Sequence, residues 1–353
     1  MTHIDARTRG VRTLAPILGL TLALGACSPT DGGDGGTTDE GGQAAGDTIQ
    51  NCDIEVPADE APERVFAAYQ PAIEMAHALG ISDRLVGTAY LDAEVLPEYA
   101  EAQEAQEYYA NIPSREELLN HDPDFVLSGF NGVFADGGDG SFGTRTELRE
   151  LGIESWIFSP LCPSEDGGTD ESIDPSTVTM DSIYADLHDL GTIFGVEERA
   201  EEVVTEMQET VSETEEIVAE AEDTPSVVIG RPDDEGFRVT GEPDFSTVLL
   251  EHAGAENPFA DLDEARNIDV STEELIERDP DYILVDVCCD AEMTAADAAD
   301  GVAEIRNDPA LANVTAVEED QVLEFTFADR SAGVRSAPVV AEIAEMVHPE
   351  LYE

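Results

Sequence analysis

Apolar positions recur along this chain with two periods. Between residues 196 and 222, small and apolar residues fall at Ala200, Val203, Val204, Met207, Val211, Thr214, Val218 and Ala221, with mostly acidic residues between them. Steps of three and four predict one amphipathic helix with a single apolar stripe. At 1.5 Å per residue it would be roughly 40 Å long, about the width of a lobe, so it is expected to bridge two bodies. Elsewhere short apolar runs read as strands, at 65–68, 85–89, 153–158, 226–230 and 322–326. Helical patterns at 71–79, 145–151, 180–194, 245–252 and 338–348 alternate with them. That alternation implies parallel sheets, with clefts at the carboxyl ends of the strands.

A short pattern occurs once on each side of the long helix. Residues 114–127, SREELLNHDPDFVL, match residues 271–284, STEELIERDPDYIL, without a gap. Each copy predicts a helix followed by a strand, and the repeat suggests two similar α/β lobes joined by a helical strut. Ser114 with Glu117, and Ser271 with Glu274, have capping-box spacing. The preceding Glu116 and Glu273 sit in the first turn with no local partner required of them.

The amino terminus has a different composition. Residues 1–13 carry three Arg, 14–24 form an apolar core too short for a membrane span, and Leu24-Gly25-Ala26-Cys27 follows. This layout resembles a bacterial lipoprotein signal, with Cys27 as the lipidated residue. Two acyl chains on Cys27 would be enough for stable anchoring. The Gly-, Asp- and Thr-rich stretch after it reads as a flexible tether. The expected organisation is a signal peptide at 1–26, a tether at 27–50, an amino-terminal lobe at 51–195, the bridging helix at 196–222 and a carboxy-terminal lobe at 223–353.

Charge narrows the class further. All 16 basic residues are Arg, and 80 acidic residues leave a formal net charge of −64. The acids are spread along the whole chain, which reads as adaptation to a salty exterior, since screening acts over about 10 Å at 0.1 M salt. Nucleic acid is not an expected partner, because no basic patch exists to neutralise phosphates.

Several segments, in order, carry a specific resemblance: PERVF from Pro62, ALGISDRLVG ending at Gly87, PSREELL with DPDFV, DLGTIFGV ending at Val196, and DPALA with VRSAP ending at Pro338. Together they resemble the substrate-binding proteins of iron-siderophore and vitamin B12 ABC importers, over about residues 53–352. The resemblance implies two Rossmann-like α/β lobes with parallel sheets, joined by one long helix, and a binding protein that is not an enzyme. It implies capture of a ferric siderophore and its delivery to the transmembrane permease subunits. A small-molecule iron chelate is the cargo, with ferric ion present only as part of it and no cofactor. Cobalamin, haem or a deazaflavin precursor are alternative cargoes, and an exported α/β enzyme or a surface adhesion lipoprotein are the readings from other classes. The resemblance also implies that Glu116 and Glu273 dock onto the two permease subunits.

Cargo contacts are expected just after the strands: Tyr69, Tyr90, Phe130 with Asn131, and Ser159 in the first lobe, with Trp156 in the strand leading to Ser159. In the second lobe they are Arg231, Cys288 and the loop 327–335 with Arg330 and Arg335. Arg suits forked hydrogen bonding of hydroxamate, carboxylate or catecholate oxygens, and Tyr adds flat apolar area with a donor. The alternative for each Arg is a salt bridge to one of the many acids.

With Cys27 lipidated, Cys52, Cys162, Cys288 and Cys289 remain, an even number with three possible pairings. Cys52 with Cys162 would staple the start of the first lobe to a cleft loop, leaving Cys288 with Cys289 as a vicinal pair. A soft-metal site at the adjacent cysteines is the other reading. Catalytic patterns fail. Residues 138–143 fit G-x-G-x-x-G but follow a loop and contain no basic residue, and the six His have no ligand spacing.

Overall fold

Two five-stranded sheets share the core with one long helix. The computed structural model describes residues 47–138, 140–164, 173–233 and 236–352; the expected signal peptide, Cys27 and nearly all of the tether lie outside them. A hairpin of β1 (Thr48–Asn51) and β2 (Ile54–Pro57) opens the described chain. The first sheet contains β3 (Val65–Ala68), β4 (Leu85–Ala89), β5 (Tyr108–Tyr109), β6 (Phe125–Ser128) and β7 (Glu154–Ile157). It runs β5-β4-β3-β6-β7 and is parallel throughout.

The second sheet contains β8 (Val227–Asp233), β9 (Gly236–Thr240), β10 (Asn267–Val270), β11 (Tyr282–Val287) and β12 (Val322–Thr326). Its order is β10-β9-β8-β11-β12. The expectation of a parallel sheet needs correction here. β8, β11 and β12 are parallel, whereas β9 pairs antiparallel with β8 and β10 with β9. Two residues separate β8 from β9, and a connection that short allows only a hairpin, because a parallel partner needs a crossover of a dozen residues or more. Gly230 makes the pairing possible, since a Cβ there would lie 2.3 Å from the Arg238 carbonyl oxygen.

The long helix forms over Glu197–Val218, roughly 33 Å at 1.5 Å per residue. Its buried positions are Ala200, Val203, Val204, Met207, Val211 and Thr214, six of the eight that the spacing predicts; the helix stops four residues short of the expected end, leaving Val218 half-buried in its last turn and Ala221 beyond it. It starts where Gly195, at φ +67°, caps the preceding helix Met180–Phe194 in the left-handed conformation that glycine tolerates best. That helix and the terminal helix Ser336–Val347 pack along it.

Alternation along the central strands divides the interior. Val227, Ile229 and Leu284 face the core that holds the long helix and the first sheet, while Val228, Ile283 and Val285 face a separate cluster with Phe259 and Ile305. A period of two sends successive side chains to opposite faces of a sheet, so the second sheet is covered on both sides.

Both repeat helices, Arg115–Asn120 and Thr272–Arg278, begin alike. Ser114 Oγ accepts from Glu117 N–H and Ser271 Oγ from Glu274 N–H, each at 3.2 Å. The return half of the capping box forms elsewhere, at Thr144 with Glu147 and Thr294 with Asp297. Glu274 instead faces Arg278 one turn on, at 3.8 Å.

Candidate binding cleft

The carboxyl ends of strands from both sheets converge on a cavity of about 300 Å³. Its first wall is aromatic. Tyr69 follows β3 and Tyr90 follows β4, both at positive φ (70° and 65°), a conformation that bulky L residues rarely adopt. The ladder imposes it: Tyr69 N–H donates to the Ala89 carbonyl at 2.8 Å and Tyr90 N–H to that of Tyr109 at 2.9 Å. Phe130 follows β6 in a loop pinned by Ser128, whose hydroxyl bonds both the N–H and the carbonyl of Phe130. The Tyr69 ring centroid lies 4.9 Å from that of Tyr90 and 5.2 Å from that of Phe130. All three rings line the cavity.

The facing wall is cationic. Arg231 on β8 and Arg238 on β9 are direct cross-strand partners, an arrangement of like charges that ordinarily destabilises a sheet. Each has its own acid: Arg231 lies 3.0 Å from Asp286 and Arg238 lies 3.2 Å from Asp269. Arg266, just before β10, pairs with Asp244 at 3.2 Å. These three Arg line the cavity.

Arg330 is buried behind them. It contacts Asp286 at 2.9 Å, Asp244 at 3.4 Å and the side chain of Asn267, and its guanidinium stacks 4.3 Å from the Phe327 ring centroid. Burial by itself would raise the Asp244 carboxyl, but Arg330 and Arg266 hold it below the ordinary range. Within this ion-paired cluster, Arg231, Arg266 and Arg330 meet only Asp244 and Asp286, so the five groups together carry one positive charge in excess. An anionic or oxygen-rich ligand with a flat apolar portion fits between the two walls.

One flank is closed by loops from the two lobes. Cys289 N–H donates to the Asp92 carbonyl and Glu94 N–H to the Met293 carbonyl, both at 2.9 Å. Cys288 and Cys289 form a disulfide, and both line the cavity together with Asp92. The other disulfide joins Cys52 to Cys162. The Asp92 carboxyl is pushed up to about 7 by burial, against the pull of Arg330, Arg266 and Arg335.

Residues 65–328 match the family described as periplasmic binding protein. The chain belongs to that family. Among solved structures, this periplasmic binding protein is similar to one from Veillonella parvula, at 22% identity and a TM-score of 0.73, covering 84% of this chain and 94% of that one. A protein described as an ABC-type Fe3+-hydroxamate transport system from Saccharomonospora viridis is 26% identical, with a TM-score of 0.65 and coverage of 85% and 98%. A periplasmic heme-binding protein from Roseiflexus is 18% identical, with a TM-score of 0.61 and coverage of 82% and 99%. No curated protein matches the chain. The family and these neighbours are substrate-binding proteins, not enzymes. The family implies an extracytoplasmic location, and among the described residues no helix is long and apolar enough to cross a membrane.

Of the residues expected at the cleft of this periplasmic binding protein, Tyr69, Tyr90, Phe130, Arg231, Cys288 and Phe327 line the cavity. Five others are corrected. Trp156 is fully buried, because the period of β7 sends its ring into the core. Arg330 is spent on Asp286 and Asp244, and Arg335 on Glu74 and Asp329. Asn131 donates to the Leu161 carbonyl at 3.2 Å and is not part of the lining. Ser159 likewise turns away, its hydroxyl donating to buried Asp186 at 2.6 Å. Arg238, Arg266 and Asp92 were not foreseen. The alternation in Gly236-Phe-Arg-Val-Thr240, with Phe237 and Val239 buried, was the signal that could have found Arg238. Glu116 and Glu273 are exposed, one per lobe.

Proposed function

We propose that this periplasmic binding protein is anchored by a lipid on Cys27 at the outer face of the cell membrane, captures a ferric siderophore in the cleft and delivers it to the permease subunits of an ABC importer. The observation that carries the reading is the opposition of a three-ring aromatic wall to a wall of arginines. Arg231 and Arg238 are cross-strand neighbours in a chain of net charge −64. Guanidinium groups donate forked hydrogen bonds to the oxygens of a chelate, and the rings cover its apolar carbon. Iron enters only as part of the cargo. A cavity of about 300 Å³ is at the small end for ligand sites, so a larger chelate enters with the lobes apart.

A second reading, haem, draws on the two phenols at the cavity, since tyrosine is one of the protein ligands of haem iron. Calorimetric titration in molar salt with ferric hydroxamates, ferric catecholates, haem and cobalamin tests both. Saturable binding of a ferric siderophore supports the first reading. Binding of haem or cobalamin alone replaces it.

Docking would use Glu116 and Glu273, set on matched helices by the same serine cap. Three residues on from each lies an exposed aliphatic side chain, Leu119 and Ile276, two of the four large apolar side chains left exposed among the described residues. Residues three apart share a helix face, so each lobe presents one acid and one apolar group in the same register. Division at residues 26, 50, 195 and 222 accompanies this reading, as does adaptation to high salt. A melting temperature that rises from 0.1 M to 1 M NaCl is expected from screening of the acidic surface, and a flat response overturns the salt adaptation.

A further inference from the structure

The Asp92, Cys288 and Cys289 side chains meet at the flank of the cleft. One carboxylate oxygen and the two sulfurs lie within 4.8 Å of one another. The cysteines follow β11 of one lobe, and Asp92 follows β4 of the other by three residues. The backbone bond from Cys289 N–H to the Asp92 carbonyl fixes the two loops together. Cys289 sits at φ +89°, a sparsely populated conformation for an L residue.

Asp92 differs from the other buried acids around the cleft. Asp244, Asp286 and Glu74 are each bound by at least one Arg. Asp92 is 5% exposed, yet among the described residues its carboxylate takes part in no ion pair and no side-chain hydrogen bond. A buried carboxylate left unpaired is costly, and this one faces sulfur. Cys289 is exposed and Cys288 half-buried, whereas Cys162, in the second disulfide, is buried. A small reductant therefore reaches the cleft pair more readily.

We propose that this flank is a redox-gated site for a soft divalent cation of the cadmium and zinc class. A phosphine or thiol reductant opens it. With a phosphine and water, the S–S bond breaks, each sulfur gains a proton, and the phosphine leaves as its oxide. The cation then displaces the two thiol protons, forming two metal–sulfur bonds, with an Asp92 oxygen as third ligand. Metal–sulfur bonds near 2.3 Å and metal–oxygen bonds near 2.1 Å place tetrahedral ligand atoms roughly 3.5–3.8 Å apart, so the carboxylate needs little movement and the sulfurs separate by side-chain rotation. Two thiolates select a soft metal over calcium or magnesium. The fourth position opens on the cavity. The site is independent of which chelate the cleft carries.

The test is a cadmium titration of the purified protein, followed by the ultraviolet thiolate-to-cadmium charge-transfer band, before and after phosphine reduction and removal of the reductant. That band ignores cadmium held by surface carboxylates. One equivalent per chain after reduction and none before is expected. The band should vanish in Cys288→Ser/Cys289→Ser, and Asp92→Asn should weaken binding at least about tenfold, since even groups outside a metal's ligand shell are worth that much. No band in the reduced protein, a band that survives in the double serine variant, or unchanged affinity in Asp92→Asn would each overturn the proposal. Wild type in its oxidised form is a control that needs no substitution, and chelate binding by that form is read separately.

Discussion

Arg335 reaches Glu74 from the other end of the chain, 261 residues away, with Nε on Oε2 at 3.0 Å and Nη2 on Oε1 at 2.5 Å. The same carboxylate accepts from Gln70 Nε2 at 2.9 Å and from Leu96 N–H at 3.0 Å. Arg335 also donates to the Glu94 carbonyl and to Asp329. Its own ionisation is held above the ordinary value: burial pulls it down, and Glu74 and Asp329 more than offset that. The pair therefore fastens the helix Gln70–Ala78 of the first lobe to the start of the terminal helix in the second.

Glu74→Ala is expected to destabilise the fold by about 3–5 kcal/mol, the range for removing one partner of a buried pair. Denaturant unfolding in molar salt measures it. Adding Arg335→Ala should cost less than the sum of the two single changes, because the groups share one network. Additive losses would show that the contact is incidental.

Arg231 can be removed without leaving its acid unpaired, since Asp286 keeps Arg330 at 2.9 Å. Arg231→Ala should therefore lower affinity for the bound chelate about tenfold or more while shifting stability by under about 1 kcal/mol. A loss of stability larger than the loss of binding would return Arg231 to a structural role.

Joint replacement of Glu116 and Glu273 by Ala should abolish uptake in cells and leave chelate affinity within about twofold, because surface substitutions of this kind barely disturb the fold. Leu119→Ser with Ile276→Ser should reduce uptake partially. Normal transport in the double glutamate variant would reject the docking surface.

Asp186 supplies a pH signature. Fully buried below the loop after β7, its carboxyl is pushed up to about 7 from 3.8 by burial, although Ser159 donates to it through both N–H and hydroxyl. Between pH 3.8 and 7 the folded state holds a proton that the unfolded state has lost, so this group's contribution to stability falls as pH rises through that window. Asp186→Asn should therefore compare with wild type more favourably at pH 8 than at pH 4, by up to a few kcal/mol. Parallel stability curves for the two proteins would refute the assignment.

The long helix and four of the five strands of the first sheet were legible because their signals are local, a stripe with one period and apolar runs ended by Gly or a turn; the two-residue edge strand Tyr108–Tyr109 is too short to show either. Tyr69, Tyr90 and Phe130 followed from their positions just after strands. The β9 and β10 strands escaped notice because each is short, carries a charged residue at its centre and buries only one face; Arg238 and Arg266 were missed with them. Arg330 and Arg335 were placed in the cleft because a sequence with 80 acids gives no means of telling which acid a given Arg will meet. That choice is made by tertiary contact with Asp244, Asp286 and Glu74. Trp156 failed for a narrower reason: it lies inside β7, where Ser155 and Ile157 on the opposite face are buried as well, and no β7 residue lines the cavity.

The apolar stripe of the long helix belongs to the same core as the first sheet and the inner face of the second. There is thus no wet joint at the spine of the molecule, and a wide swing of one lobe would tear dry surface apart along the helix. At the cleft the two lobes are further joined by two backbone bonds, Cys289 to Asp92 and Glu94 to Met293, and by the buried Arg335 clasp on Glu74. Any parting of the lobes at the cleft must therefore break those backbone bonds and the Arg335 clasp while the dry spine along the helix holds.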